Sequence, residues 1–128
     1  MPVYTLTITT EFAASHIIPG HPGKCARLHG HNWKVEVDVN AHQLDHLGMG
    51  IDFQDIKSAA KQLMEGLDHY HLNDLDAFNT LSPTAENIAA WLFACLSEAL
   101  NRPHIYVSAV TLWETDRCRV RYSEANHD

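Results

Sequence analysis

Residues Val3 to Phe12 alternate in character: Tyr4, Leu6 and Ile8 fall on one side, Thr5, Thr7 and Thr9 on the other. A period of two marks a strand with one buried face. The same period returns at Trp33, Val35, Val37 and Val39, which alternate with Lys34, Glu36, Asp38 and Asn40. The intervening HIIPGHPGKCARLHG is rich in glycine and proline and predicts a loop. The period then lengthens. Asp52 is placed to cap a helix running to about Leu67, with Phe53, Ile56, Ala60, Leu63 and Leu67 at helical spacing. A second helix is predicted from SPTAEN, capped by Ser82 or Thr84 with Pro83 in its first turn. Its expected buried stripe is Ile88, Trp91, Leu92, Cys95 and Ala99. Ile105 to Trp113 reads as a strongly apolar strand and ETDR as a turn. On the last strand Cys118, Val120 and Tyr122 alternate with Arg117, Arg119 and Arg121.

This order, ββααββ, predicts an α+β fold: a four-stranded antiparallel sheet with two helices on one face. Two sheet edges are left open, which predicts assembly with copies of the chain. The length of 128 residues, 45% of them hydrophobic, predicts a single packed domain over residues 1–128. The longest apolar run, Ile88 to Leu96, has nine residues; a bilayer-spanning helix needs roughly 20. The start, MPVYTLTITT, lacks the basic-then-apolar order of a signal peptide. The three cysteines are widely spaced, which fits a reducing compartment. Both features predict a cytoplasmic protein without a membrane partner. A net charge of −7 argues against nucleic acid, while leaving room for a small anionic substrate held by a local basic cluster.

Histidine is the compositional outlier, with ten residues. His29 and His31 flank Gly30, and residues two apart on a strand point to the same side. His16 ends the first strand. Antiparallel pairing through the loop would bring it to His29 and His31. Three neutral imidazoles with one open position form the pattern of a catalytic zinc site; the competing reading is solvated loop histidines. Cys25 shares the loop with Lys24 and Arg27, and nearby cations favour the reactive thiolate. Cys95 and Cys118 read instead as small apolar packing residues. Asp68 can orient His69, although histidines at a helix C-terminus are also favoured by its dipole; His71 is expected to point elsewhere. Glu114, in LWET, is either a turn residue or a bidentate acceptor for the donor edge of a heterocycle. Capping suffices to explain SPTAEN, and a solvated strand face suffices to explain the arginine alternation.

Together FAASH, CARLHGHN, IDFQDIK, LDHYHLND, SPTAEN and LWET appear in the order seen in the 6-pyruvoyltetrahydropterin synthase family, and the resemblance covers nearly the whole chain. Within that family the chain looks most like the bacterial 6-carboxytetrahydropterin synthases of queuosine biosynthesis. Its Cys-x3-His-Gly-His spacing is shorter than that of the animal pyruvoyl-type enzymes. The resemblance implies a tunnelling fold whose sheets join into an oligomeric barrel, trimer or hexamer, with active sites between subunits. It implies Zn2+ held by His16, His29 and His31, Cys25 as proton-abstracting base, His69 as its partner and Asp68 as the group orienting His69. Glu114 would anchor the pterin and join the proton relay. Thr84 and Glu86 would border the pterin pocket. Lys24 and Arg27 are the basic residues placed for a triphosphate. The implied reaction is a lyase reaction converting 7,8-dihydroneopterin triphosphate to 6-carboxytetrahydropterin, acetaldehyde and triphosphate. The alternatives are a pyruvoyl-type synthase or a non-catalytic zinc- or pterin-binding module. The tail SEANHD and Cys118 match no motif.

Overall fold

The computed structural model describes residues 2–124. Residues 125–128 of the tail lie outside them. Strand β1 (Tyr4–His16) pairs antiparallel with β2 (His29–Ala41) along their whole length, from Tyr4 opposite Ala41 to His16 opposite His29. Next come helix α1 (Phe53–Leu67), the short strand β3 (Tyr70–His71) and helix α2 (Ala85–Leu100). A hairpin of β4 (Ile105–Thr115) and β5 (Cys118–Tyr122) follows. The sheet order is β3-β1-β2-β4-β5.

Four strands are antiparallel, as the alternation implied. The fifth, β3, was not foreseen: it runs parallel to β1, with Tyr70 opposite Ala14 and His71 opposite Ser15. A two-residue strand carries too few positions to show a period, so the pattern could not reveal it. Strand β1 also outruns its alternating stretch, because Phe12, Ala14 and His16 continue its buried face beyond the threonines.

Trp33, Val35, Val37, Val39 and Ala41 of β2 are fully buried, and the intervening side chains face away from the core. Both helices cover this face: α1 lies against β1, and α2 against β4 and β5. Helix α1 begins where Asp52 accepts a hydrogen bond from Gln54 N at 2.8 Å. It buries Ile56, Ala60, Met64 and Leu67, whereas Phe53 is exposed at the first turn. In α2 the cap is Thr84, whose hydroxyl accepts from Asn87 N at 3.1 Å. Pro83 precedes that cap and so lies outside the helix. The buried stripe is Ile88, Ala89, Leu92, Phe93, Leu96 and Leu100. Trp91 and Cys95 sit at its margin and Ala99 is exposed, so the stripe is rotated slightly from the expected one. Among the described residues, no helix is long and apolar enough to cross a membrane.

Candidate active site

The long β1–β2 pairing decides the site. It sets His16 directly opposite His29, and His31 follows two residues along the same face. That face is the one that buries Trp33, so the three imidazoles stand at the end of the core rather than in solvent. The ring of His16 lies 4.9 Å from that of Trp33, edge to face, and the ring of His31 lies 5.1 Å from it. One potential ligand atom from each histidine lies within 4.8 Å of the others.

Tautomers follow from the partners. His16 Nδ1 donates to the Pro83 carbonyl at 2.8 Å, and His29 Nδ1 donates to the Arg27 carbonyl at 2.7 Å. A carbonyl only accepts, so each Nδ1 carries the proton and each Nε2 keeps a lone pair. Among the described residues, Nε2 of His16 and Nε2 of His31 are buried without a hydrogen-bond partner. Orphaned acceptors of this kind are costly unless something binds them. Burial, above all, holds both imidazoles below the ordinary histidine range. For His16 the neighbouring His29 and His31 add to that, against the Pro83 hydrogen bond and Glu114, which act in the opposite direction. The tethered Nδ1 of His16 and His29 and the bare Nε2 of His16 and His31 suit a metal ion; His16, His29 and His31 can hold one.

Cys25 lies in a single turn of 3-10 helix, Lys24–Ala26, at the end of the β1–β2 loop. Ile18 N donates to the Cys25 carbonyl at 2.7 Å, which closes this loop over the histidines. Lys24, Cys25, His29, His31 and Glu114 line one cavity of about 280 Å³. Glu114 occupies β4 two positions beyond the buried Leu112, and its Oε1 lies 3.7 Å from His31 Nε2. The strand runs on through Thr115, so Glu114 is not in the turn and only Asp116 and Arg117 connect the hairpin. Glu86 lines a separate cavity of about 160 Å³ that also reaches Glu114, with Ala85, Leu112, Cys118, Arg119 and Val120 around it. Thr84 acts on the fold as the α2 cap, next to the Pro83 carbonyl that holds His16. The Arg27 contact at the site is its carbonyl on His29.

Asp68 and His69 stand apart from Cys25. Asp68 Oδ1 accepts from Ala13 N at 2.7 Å, and Asp68 Oδ2 accepts from His69 Nδ1 at 2.7 Å. The Ala13 bond first, then the His69 bond, hold this carboxyl below the usual carboxylate range. His69 has φ +64°, a left-handed turn, and its N donates to the Ala13 carbonyl at 2.6 Å. The turn swings the imidazole outward, leaving its side chain 82% exposed. It lines a cavity of about 440 Å³ with Ser15, Gly30, His31, Asn32, Tyr70 and His71. His31 therefore borders both the Cys25 cavity and the His69 cavity.

Two expectations about flanking residues change. His71 shares the His69 cavity, because β3 pairs it with Ser15. Cys118 has the inward parity of its strand but is exposed, as the first residue of β5. Cys95 is half-buried, and burial raises its thiol above the ordinary value. The reading of residues also missed Asn73. Its side chain accepts from Ile17 N at 2.9 Å and donates to the Ile17 carbonyl at 3.0 Å, clamping the chain just past His16. LND in the sequence gives no sign of so distant a partner.

A model of the family described as 6-pyruvoyl tetrahydropterin synthase matches residues 5–125. The chain belongs to the 6-pyruvoyl tetrahydropterin synthase family. It is 45% identical over 94 residues to a 6-carboxy-5,6,7,8-tetrahydropterin synthase of Synechocystis sp., covering 70% of this chain and 71% of that one. It is 37% identical to a protein of the same name from Rickettsia felis, over 86% of this chain and 93% of that one. The solved 6-pyruvoyl tetrahydropterin synthase of Caenorhabditis elegans superposes with a TM-score of 0.86 at 27% identity, covering 98% of each chain. Similarity to members of the 6-pyruvoyl tetrahydropterin synthase family thus extends over every strand and both helices.

Proposed function

We propose that this protein is a zinc-dependent 6-carboxytetrahydropterin synthase. It converts 7,8-dihydroneopterin triphosphate and one water to 6-carboxytetrahydropterin, acetaldehyde and triphosphate, as a cytoplasmic step of queuosine biosynthesis. The observation that carries this reading is the meeting of the His16, His29 and His31 imidazoles with a thiol and a carboxylate at one end of the sheet. The names of the Synechocystis and Rickettsia relatives and the short Cys-x3-His-Gly-His spacing support the carboxy-type product.

In this account His16, His29 and His31 hold the zinc. When bound, the ion supplies Lewis-acid polarisation of the substrate side-chain oxygens, which acidifies the neighbouring carbon positions. Cys25, as thiolate, takes a proton from the side-chain carbon. His69, held through Nδ1 by Asp68, presents Nε2 to move a second proton. Glu114 accepts hydrogen bonds from the amine-and-amide edge of the pterin and fixes the ring, with Glu86 and Thr84 bordering it. Lys24 and Arg27 counter the triphosphate charge. No net oxidation occurs, so no nicotinamide or flavin is needed.

Cys25 and His69 line different cavities of one protomer. The proposal therefore takes the whole chain as one catalytic domain and completes each site between subunits of a trimer or hexamer. The test is incubation of zinc-loaded protein with dihydroneopterin triphosphate and mass identification of the products. Carboxypterin with acetaldehyde is the expected result. A pyruvoyl pterin would assign the sister activity, and absence of turnover would leave a binding module.

A further inference from the structure

The His69 cavity contains a second oriented imidazole. Ser15 and His71 are opposite one another across the β1–β3 pairing, and Ser15 Oγ lies 3.0 Å from His71 Nδ1. On its other side Ser15 faces Gly30, whose missing side chain leaves that part of the cavity open. His69 and His71 are thus both held through Nδ1, His69 by a carboxylate and His71 by a hydroxyl. The two partners differ in kind. A carboxylate only accepts, so it fixes the Nδ1–H tautomer of His69 and steadies the positive ring formed when Nε2 takes a proton. A hydroxyl both donates and accepts, so His71 can hold its proton on either nitrogen without losing its hydrogen bond.

We infer that the Ser15–His71 pair is a proton shuttle serving His69, which exchanges protons between the reaction cavity and water. A proton arriving at His71 Nε2 is matched by one leaving Nδ1 for Ser15 Oγ, and the hydroxyl proton passes to water. Only N–H and O–H bonds change, no charge accumulates and no redox partner is involved. The need for such a path arises once substrate fills the cavity and separates His69 from bulk water. The inference rests on the synthase reading, since it gives His69 a proton to exchange in every turnover. In it His71 and Ser15 both carry the proton, His71 through its ring and Ser15 through its hydroxyl.

The test uses the zinc-loaded protein and its variants with dihydroneopterin triphosphate. General acid–base groups contribute about 10²- to 10⁴-fold, so a group one step removed is expected to cost His71→Gln about tenfold to a hundredfold in kcat. KM and metal content should stay unchanged, and added imidazole should recover part of the rate. Ser15→Ala should lose less, and Ser15→Thr, which restores the hydroxyl, should recover it. A wild-type kcat in His71→Gln, or a loss that imidazole does not relieve, would overturn the inference. A second measurement does not depend on turnover. Nitrogen NMR of the histidine rings should show both tautomers of His71 and only the Nδ1–H form of His69. A single tautomer at His71 would also overturn the shuttle. An inactive wild type would instead remove the synthase reading, so the two failures are distinguishable.

Discussion

At the scale of single residues, environment rather than residue type separates the groups. Of three cysteines, only Cys25 lines a cavity with two of the candidate metal ligands. Cys25→Ala should keep fold and metal but lose turnover, whereas Cys95→Ala and Cys118→Ala should both stay active; an inactive Cys95→Ala would reverse the assignment. Glu114 is held out of the turn and toward His31. A carboxylate meeting two ring donors makes charged hydrogen bonds worth about 1.5–3 kcal/mol each. Glu114→Gln should weaken pterin binding about 10- to 150-fold with metal content unchanged. Calorimetric titration with a pterin checks this, and unchanged affinity would return Glu114 to a structural role. His16 and His31 supply the pH dependence. Burial holds both below the ordinary value of 6.5. Below about pH 6.5 the unfolded chain therefore takes up protons that the folded chain refuses. The stability of the metal-free protein should be fully present above that pH and fall with further acidification. Thermal melts of chelated protein between pH 7.5 and 5.5 should show a falling Tm, and His16→Ala should flatten the slope.

At the scale of elements, α2 is tied to the site through its first turn. Thr84 caps the helix, and Pro83, one residue earlier, supplies the carbonyl for His16. Removing a threonine cap costs about 0.5–2 kcal/mol. Thr84→Ala should therefore lower Tm and weaken metal binding together; a lower Tm with unchanged metal affinity would uncouple cap from site. The elements themselves were legible because their periods are long. Thirteen paired positions in β1 and β2 made the approach of His16 to His29 and His31 an outcome of register. What stayed hidden was held by short or distant contacts. Strand β3 has two residues, and its parallel pairing hangs on the left-handed turn at His69. That turn also moved His71 into the cavity from which its neighbouring sequence excluded it. The exposure of Cys118 comes at the first position of β5, an end effect that alternation along one strand cannot show. Phe53 fits the apolar spacing yet is exposed in the first turn of α1, and Ala99 falls outside the rotated stripe of α2, where Leu100 is buried instead.

At the scale of the whole molecule, the two cavities that flank His31 set the argument for assembly. One protomer offers Cys25 to one and His69 to the other. Where sites form between subunits, Cys25→Ala and His69→Ala, each inactive alone, should regain activity when refolded together, because some hybrid sites then carry both groups. Mixtures as inactive as their components would place the whole site within one chain. The centre of the account is nonetheless the metal, which the fold prepares by leaving Nε2 of His16 and His31 bare at the end of a fully paired hairpin. Its most direct test is the zinc content per chain of the wild type beside the variant with His16, His29 and His31 all changed to alanine. One zinc per wild-type chain is expected, and none in the folded triple variant. Full zinc occupancy in the triple variant would contradict it.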